Sequence, residues 1–122
     1  MYQLEPVVVT DFDKANEFWR GVLSTVGYAP QHEFTNLQTF GKVAHCPNFS
    51  IVQANTGKPM KRVIQLQVDD SEEVVEFYKK AVATGGKGVE VPELVDGQRF
   101  VGKFLDLDGN TVEVYCEQST NL

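Results

Sequence analysis

The segment from Leu4 to Gly27 recurs in the same chain as Val63 to Gly86, at a constant offset of 59 positions that carries Val9 onto Val68. Asp11 meets Asp70, Glu17-Phe18 meets Glu76-Phe77, and Trp19 meets Tyr78. Arg20 meets Lys79, Thr25 meets Thr84 and Gly27 meets Gly86, all without a gap. Unrelated strand–helix units often share a capping aspartate and a closing glycine. They do not commonly share a run of Glu, Phe, aromatic and basic residues, so the pattern reads as an internal duplication.

Each copy has the same local grammar. Val7-Val8-Val9 is a β-branched run that predicts a strand. Asp11 is placed to cap a helix, and Phe12, Ala15, Phe18, Trp19, Val22, Leu23 and Val26 recur on one helical face before Gly27 stops it. Two further strands are predicted over Phe34 to Val43 and Phe49 to Ala54, and Thr56 to Pro59 reads as a linker. The second copy opens with the alternating strand Val63 to Val68. Asp70 or Ser71 then caps a helix with Val74, Val75, Phe77, Tyr78, Ala81 and Val82 on its apolar face, ending at Gly85-Gly86. A short strand over Lys87 to Val91, a strand over Gln98 to Asp106, a turn at Asp108-Gly109-Asn110 and a last strand over Thr111 to Cys116 follow.

Each half is read as strand, helix, strand, strand, strand, the first of the three later strands being the weakest in both halves. Such a unit covers one sheet face with its own helix and leaves the other face open. Two units side by side form an open barrel-like sheet with helices outside, an α+β fold. Residues 1–116 are expected to make a single domain, with modules over about 1–57 and 58–116 and a loose tail from 117 to 122.

Composition excludes several classes. With 122 residues, a formal charge of −6 and no run of Lys or Arg, the chain is not built for nucleic acid or for an anionic membrane surface. No apolar stretch approaches the roughly 18 residues of a membrane span, and the N-terminal residues do not read as a secretory signal. Cys46 and Cys116 match neither a disulfide framework nor a zinc pattern, which points to free thiols in a cytoplasmic setting.

Three stretches resemble the vicinal-oxygen-chelate superfamily of glyoxalases, bleomycin-resistance proteins and extradiol dioxygenases. They are Val9-Thr10-Asp11-Phe12 with Phe18-Trp19 and Gly27-Tyr28; Val68-Asp69-Asp70 with Glu76-Phe77-Tyr78 and Gly85-Gly86; and Phe104-Leu105-Asp106-Leu107-Asp108-Gly109-Asn110-Thr111-Val112-Glu113. The last is similar to the family's F-x-D-P-D-G-N-x-x-E ending, with Leu107 in place of the usual proline. The resemblance implies paired βαβββ modules, a cleft over the sheet and a homodimer.

It also implies where a metal would sit. Metal-using members draw His and Glu ligands from four strands. Their histidine positions fall at Leu4 and Val63, which are themselves 59 apart. The glutamate of the last strand is Glu113, and its counterpart, aligned through Asn48 and Asn110, falls near Ile51. Three of these positions are aliphatic, and one carboxylate does not hold a divalent ion. No metal and no cofactor is expected. His32 and His45, the two histidines, lie on no matching position and read as surface or loop residues.

Strand alternation names the expected cleft lining. Val63, Gln65 and Gln67 share one face of their strand, and Thr111, Glu113 and Tyr115 one face of theirs. Phe49, Ile51 and Gln53 are expected to join them, with Leu4 and Val8 on the same surface. The ligand-binding set is thus Phe49, Ile51, Gln53, Gln65, Gln67, Glu113 and Tyr115, an apolar and aromatic floor with a few amides. Glu113 is the candidate for catalysis as a general base; it equally suits pairing with a cationic ligand or a hydrogen bond to Gln65. Cys46 has no histidine placed beside it to make a nucleophile, and Cys116, Trp19 and Tyr78 read as core residues.

The leading expectation is metal-independent binding of a small organic molecule by a homodimer. One alternative is a glyoxalase-like lyase, isomerase or dioxygenase with a displaced metal site. Another is a homodimeric interaction module whose open sheet face takes no ligand.

Overall fold

Helix α1 (Phe12–Ser24) and helix α2 (Ser71–Ala83) are each 13 residues long and begin 59 positions apart, as the repeat requires. The computed structural model describes residues 6–41, 49–55 and 61–117. Asp11 accepts a hydrogen bond from the Lys14 amide at 3.2 Å, and Asp70 accepts one from the Glu73 amide at 2.9 Å. Asp70 rather than Ser71 is therefore the cap. Glu73 completes it by accepting from the Asp69 amide at 2.9 Å, a reciprocal arrangement close to a capping box.

The strands are β1 (Val7–Val9), β2 (Ala29–Phe34), β3 (Leu37–Gly41), β4 (Phe49–Gln53), β5 (Val63–Gln67), β6 (Lys87–Val95), β7 (Arg99–Leu105) and β8 (Thr111–Glu117). They form two sheets with matching orders, β1-β4-β3-β2 and β5-β8-β7-β6. In each, the first strand runs parallel to the last and the remaining pairs are antiparallel. Two βαβββ modules thus form mixed sheets that do not close into a barrel, with the helices outside. Among the described residues, no helix is long and apolar enough to cross a membrane.

Several strand boundaries differ from expectation. The strand expected from Phe34 onward is two strands: Phe34 ends β2, a turn at residues 35–36 follows, and β3 begins at Leu37. β2 is almost wholly exposed and contains Pro30, so it carries no alternating pattern to read. The reach of that strand to Val43 lies outside the described residues. β6 runs four residues beyond Val91, and Glu117, expected in the tail, belongs to β8 and pairs with Arg99.

The core joins the modules. Trp19 packs on Phe49 with ring centroids 4.7 Å apart, and Phe18 meets Trp19 edge-on at 5.3 Å. Phe104, fully buried on β7, touches Phe18 of α1 at 6.4 Å and Phe77 of α2 at 6.0 Å. One aromatic ring therefore cements both helices, and burying it is worth about 1.5–3 kcal/mol. At the surface, Asp108 accepts from the Thr10 amide at 3.0 Å and from its hydroxyl at 2.6 Å, tying the β1–α1 corner to the β7–β8 turn. Arg62 donates to the Pro6 carbonyl at 2.8 Å.

The closing glycines divide their labour. Gly27 adopts a left-handed backbone with φ 85°, but its sequence counterpart Gly86 does not; Gly85 does, with φ 119°. Gly86 is needed for space instead: a Cβ there would lie 2.9 Å from the Ala81 carbonyl oxygen and 3.0 Å from that of Leu105.

Candidate functional site

Alternation on β5 and β8 is regular. Ile64, Leu66, Val112, Val114 and Cys116 are buried under α2, which leaves Val63, Gln65, Gln67, Thr111, Glu113 and Tyr115 on the open face. The pairing register sorts these into cross-strand rows. Gln65 lies opposite Glu113, Glu113 opposite Lys103, and Lys103 opposite Glu90. The next row holds Gln67, Tyr115, Val101 and Glu93.

The first row is bonded end to end. The Gln65 amide donates to Glu113 Oε1 at 2.9 Å, and Lys103 Nζ lies 3.5 Å from Glu113 Oε2 and 3.7 Å from Glu90 Oε1. Beside it, the Arg99 guanidinium stacks 4.1 Å above the centroid of the Tyr115 ring, and its Nε lies 3.6 Å from Glu117 Oε2. The surroundings of Glu113 are therefore not the apolar ones expected; an ammonium and an amide meet its carboxylate.

Phe49, Ile51 and Gln53 require a correction. Phe49 and Ile51 are buried beneath α1, in the core with Trp19. Gln53 faces the same way and serves the helix, accepting from the Phe12 amide at 2.9 Å and donating to the Thr10 carbonyl at 2.9 Å. The cause is a slip of one residue. Val7 pairs with Ile51 as Leu66 pairs with Val114, so the counterpart of Glu113 is Ser50 and that of Tyr115 is Val52. Shifting a strand by one residue exchanges its two faces. The open face of the first sheet is then Val8, Ser50 and Val52, with Leu37 and Thr39 opposite them on β3. His32, on β2, pairs with Thr39 and belongs to the same surface. Where the second sheet reads Glu113, Lys103, Glu90, the first reads Ser50, Thr39, His32.

Arg99 and Lys103 were missed from sequence. The alternation of Arg99, Val101, Lys103 and Leu105 against Phe100, Gly102 and Phe104 marked their face, but nothing in it tells which strand lies alongside. Leu4, His45 and Cys46 lie outside the described residues. Cys116 is buried, and that burial, followed by the charge of Asp70, raises its thiol pKa above the ordinary value. Trp19 is core, and half-buried Tyr78 lies across Gly88 and Gly102 with its ring edge-on to Phe104.

The donor set does not fit a divalent metal. Val63 stands 63% exposed on the open face where the resemblance would place a histidine, and Ser50 replaces the second glutamate. Lys103 holds the remaining carboxylate. Among the described residues, no three His, Cys, Asp or Glu side chains cluster to hold an ion.

The family model of the Glyoxalase/Bleomycin resistance protein/Dioxygenase superfamily matches residues 3–114. The chain belongs to this superfamily. A glyoxalase/bleomycin resistance protein from Albidiferax ferrireducens T118 shares its fold with a TM-score of 0.78 at 21% identity, over 92% of this chain and 94% of that one. A putative glyoxalase from Bacillus halodurans matches with a TM-score of 0.74 at 16% identity, over 95% of each chain. TioX from Micromonospora sp. ML1 matches with a TM-score of 0.73 at 13% identity, over 97% and 99%. No curated protein matches the sequence. At these identities the solved structures establish the glyoxalase-superfamily fold and nothing finer.

Proposed function

We propose that the open face of the second sheet binds a small organic molecule without a divalent metal ion. The observation that carries this reading is the state of Glu113. The one carboxylate retained at a family ligand position is paired with Lys103 at 3.5 Å and hydrogen-bonded to Gln65 at 2.9 Å. A side-chain cation occupies the electrostatic role that a metal plays elsewhere. The ligand would meet polar groups at Gln65, Gln67, Glu113 and Lys103 and an aromatic surface at Tyr115, a mixture suited to a polar ring compound. Phe49, Ile51 and Gln53 have no part in it.

Homodimer formation through the same face is the second component. Val63 is 63% exposed and Val95 39% exposed on this side of the sheet, and a facing copy would enclose the polar row.

The test is a fragment screen on the isotope-labelled protein, read by amide shifts at Gln65, Glu113 and Tyr115, with elemental analysis of the same sample. Saturable shifts in that row, lost in Lys103→Met and Glu113→Gln, are expected. A stoichiometric divalent metal on the purified protein would replace this reading with the enzymatic alternative. Sedimentation that gives a monomer, unchanged by Val63→Glu, would remove the dimer.

A further inference from the structure

We propose that the groove between α1 and α2 is a second binding site, for an organic carboxylate with an apolar body. The groove encloses about 700 Å³, within the range of small-molecule pockets. It lies on the helix side of the modules, away from the polar row of the second sheet. Leu107, 42% exposed in the β7–β8 turn, supplies its main apolar surface, with the edge of buried Phe18 at the floor.

Its charge is opposite to that of the protein. Lys14 and Arg20 of α1 and Lys80 of α2 line it, against the single carboxylate of Glu17. Three cations and one anion leave +2 on a chain whose net charge is −6. None of the three cations is ion-paired among the described residues. The two hydroxyls in the wall are engaged by their own helices: Ser24 donates to the Gly21 carbonyl and Thr84 to the Lys80 carbonyl, each at 2.7 Å. Recognition of a polar head therefore falls to the cations. A modest positive excess beside an apolar floor suits a monoanion with a hydrocarbon or aryl body better than a phosphate dianion.

Gly21 lets one of these cations sit in the groove wall. A glycine inside a helix weakens it, and here the missing side chain makes room for the Lys80 stem against α1, which keeps its ammonium in the groove wall. The nearest atom to a Cβ at that position is Lys80 Cε at 3.3 Å, the flexible end of an exposed side chain. A larger residue at position 21 can therefore fill the groove while the fold survives.

The experiment titrates decanoate, and separately decanol, into the isotope-labelled full chain and follows the amides of Gly21 and Thr84. Saturable shifts there are expected with decanoate, weaker with decanol, and weakened by salt. Arg20→Glu and Lys80→Glu, both at exposed positions, should each weaken binding by about tenfold. Gly21→Leu should abolish it while the spectrum stays folded. The proposal is overturned by an absence of saturable shifts in the groove, by equal binding of decanol, or by charge-reversed variants that bind like the wild type. Shifts confined to Gln65, Glu113 and Tyr115 also overturn it and leave the sheet-face reading standing.

Discussion

Asp106 is a buried carboxylate that holds a turn together. It is buried, with 6% exposure, inside the turn that joins β7 to β8. Its Oδ1 accepts from the Asp108 amide at 2.9 Å and the Asn110 amide at 2.8 Å, and its Oδ2 accepts from Asn110 Nδ2 at 2.9 Å. Asn110 in turn accepts from the Arg62 amide at 2.8 Å, which fixes the start of β5. The relay has one sense. Asp106→Asn turns an NH2 toward Asn110 Nδ2, and flipping Asn110 only moves the donor–donor conflict to Arg62. A hydrogen bond to a charged group contributes about 1.5–3 kcal/mol, so Asp106→Asn should cost about 2 kcal/mol. Asp106→Ala, which orphans all three donors, should cost about 3–5 kcal/mol, a large part of the 5–15 kcal/mol typical of a domain.

Burial outweighs these hydrogen bonds in setting the acidity of Asp106. Desolvation raises the Asp106 pKa above its ordinary 3.8, against the lowering effect of its hydrogen bonds. A raised carboxylate pKa means that the folded state binds the proton more tightly. Its contribution to stability is then present at low pH and is lost as pH rises through the folded value. Urea unfolding at several pH values measures both effects. The wild type should exceed Asp106→Asn at neutral pH, by a margin wider still near pH 3.8, with m unchanged. An Asn variant within about 0.5 kcal/mol of the wild type would refute the directional relay, since that is the scatter of ordinary surface substitutions.

Three shorter predictions follow from packing. Gly88→Ala places a Cβ against the Tyr78 hydroxyl, and it should cost about 1–3 kcal/mol of stability in thermal unfolding as Tyr78 is pushed off its seat. Phe104→Ala removes the ring shared by Phe18 and Phe77, and a urea titration should show a loss of about 3–5 kcal/mol. Cys116, buried and with a raised thiol pKa, should react with a chromogenic disulfide only as fast as the protein unfolds; immediate stoichiometric labelling of Cys116, located by peptide mapping, would contradict its placement.

How much of this was legible beforehand depends on whether local chemistry or strand partnership decides it. The two helices could be read from sequence, up to the choice between Asp70 and Ser71 as a cap, because aspartate, apolar spacing and glycine act within a few residues. The faces of β5 and β8 were legible because both strands alternate cleanly between buried and exposed residues. β4 was not, because Phe49, Ser50, Ile51 and Val52 are compatible with either face, and only the pairing of Val7 with Ile51 decides between them. The Lys103–Glu113 contact was hidden for the same reason: residues 10 apart in sequence meet only once β7 is known to lie beside β8. The groove between the helices depends on how the modules dock, which no single-module pattern encodes.

Gly21 and Lys80 are 59 positions apart, so they are the same site of the repeat, and they face each other across the helix pair. Equivalent residues that touch must lie on the pseudo-twofold axis relating the modules. In a homodimer of identical modules, whatever occupies that axis meets its own copy. Two lysines there would set like charges together, and two glycines would leave a gap. Glycine against lysine requires two modules that differ at this position. The contact therefore makes the two modules a fitted pair: with the axis position diverged, each half complements the other and not a second copy of itself.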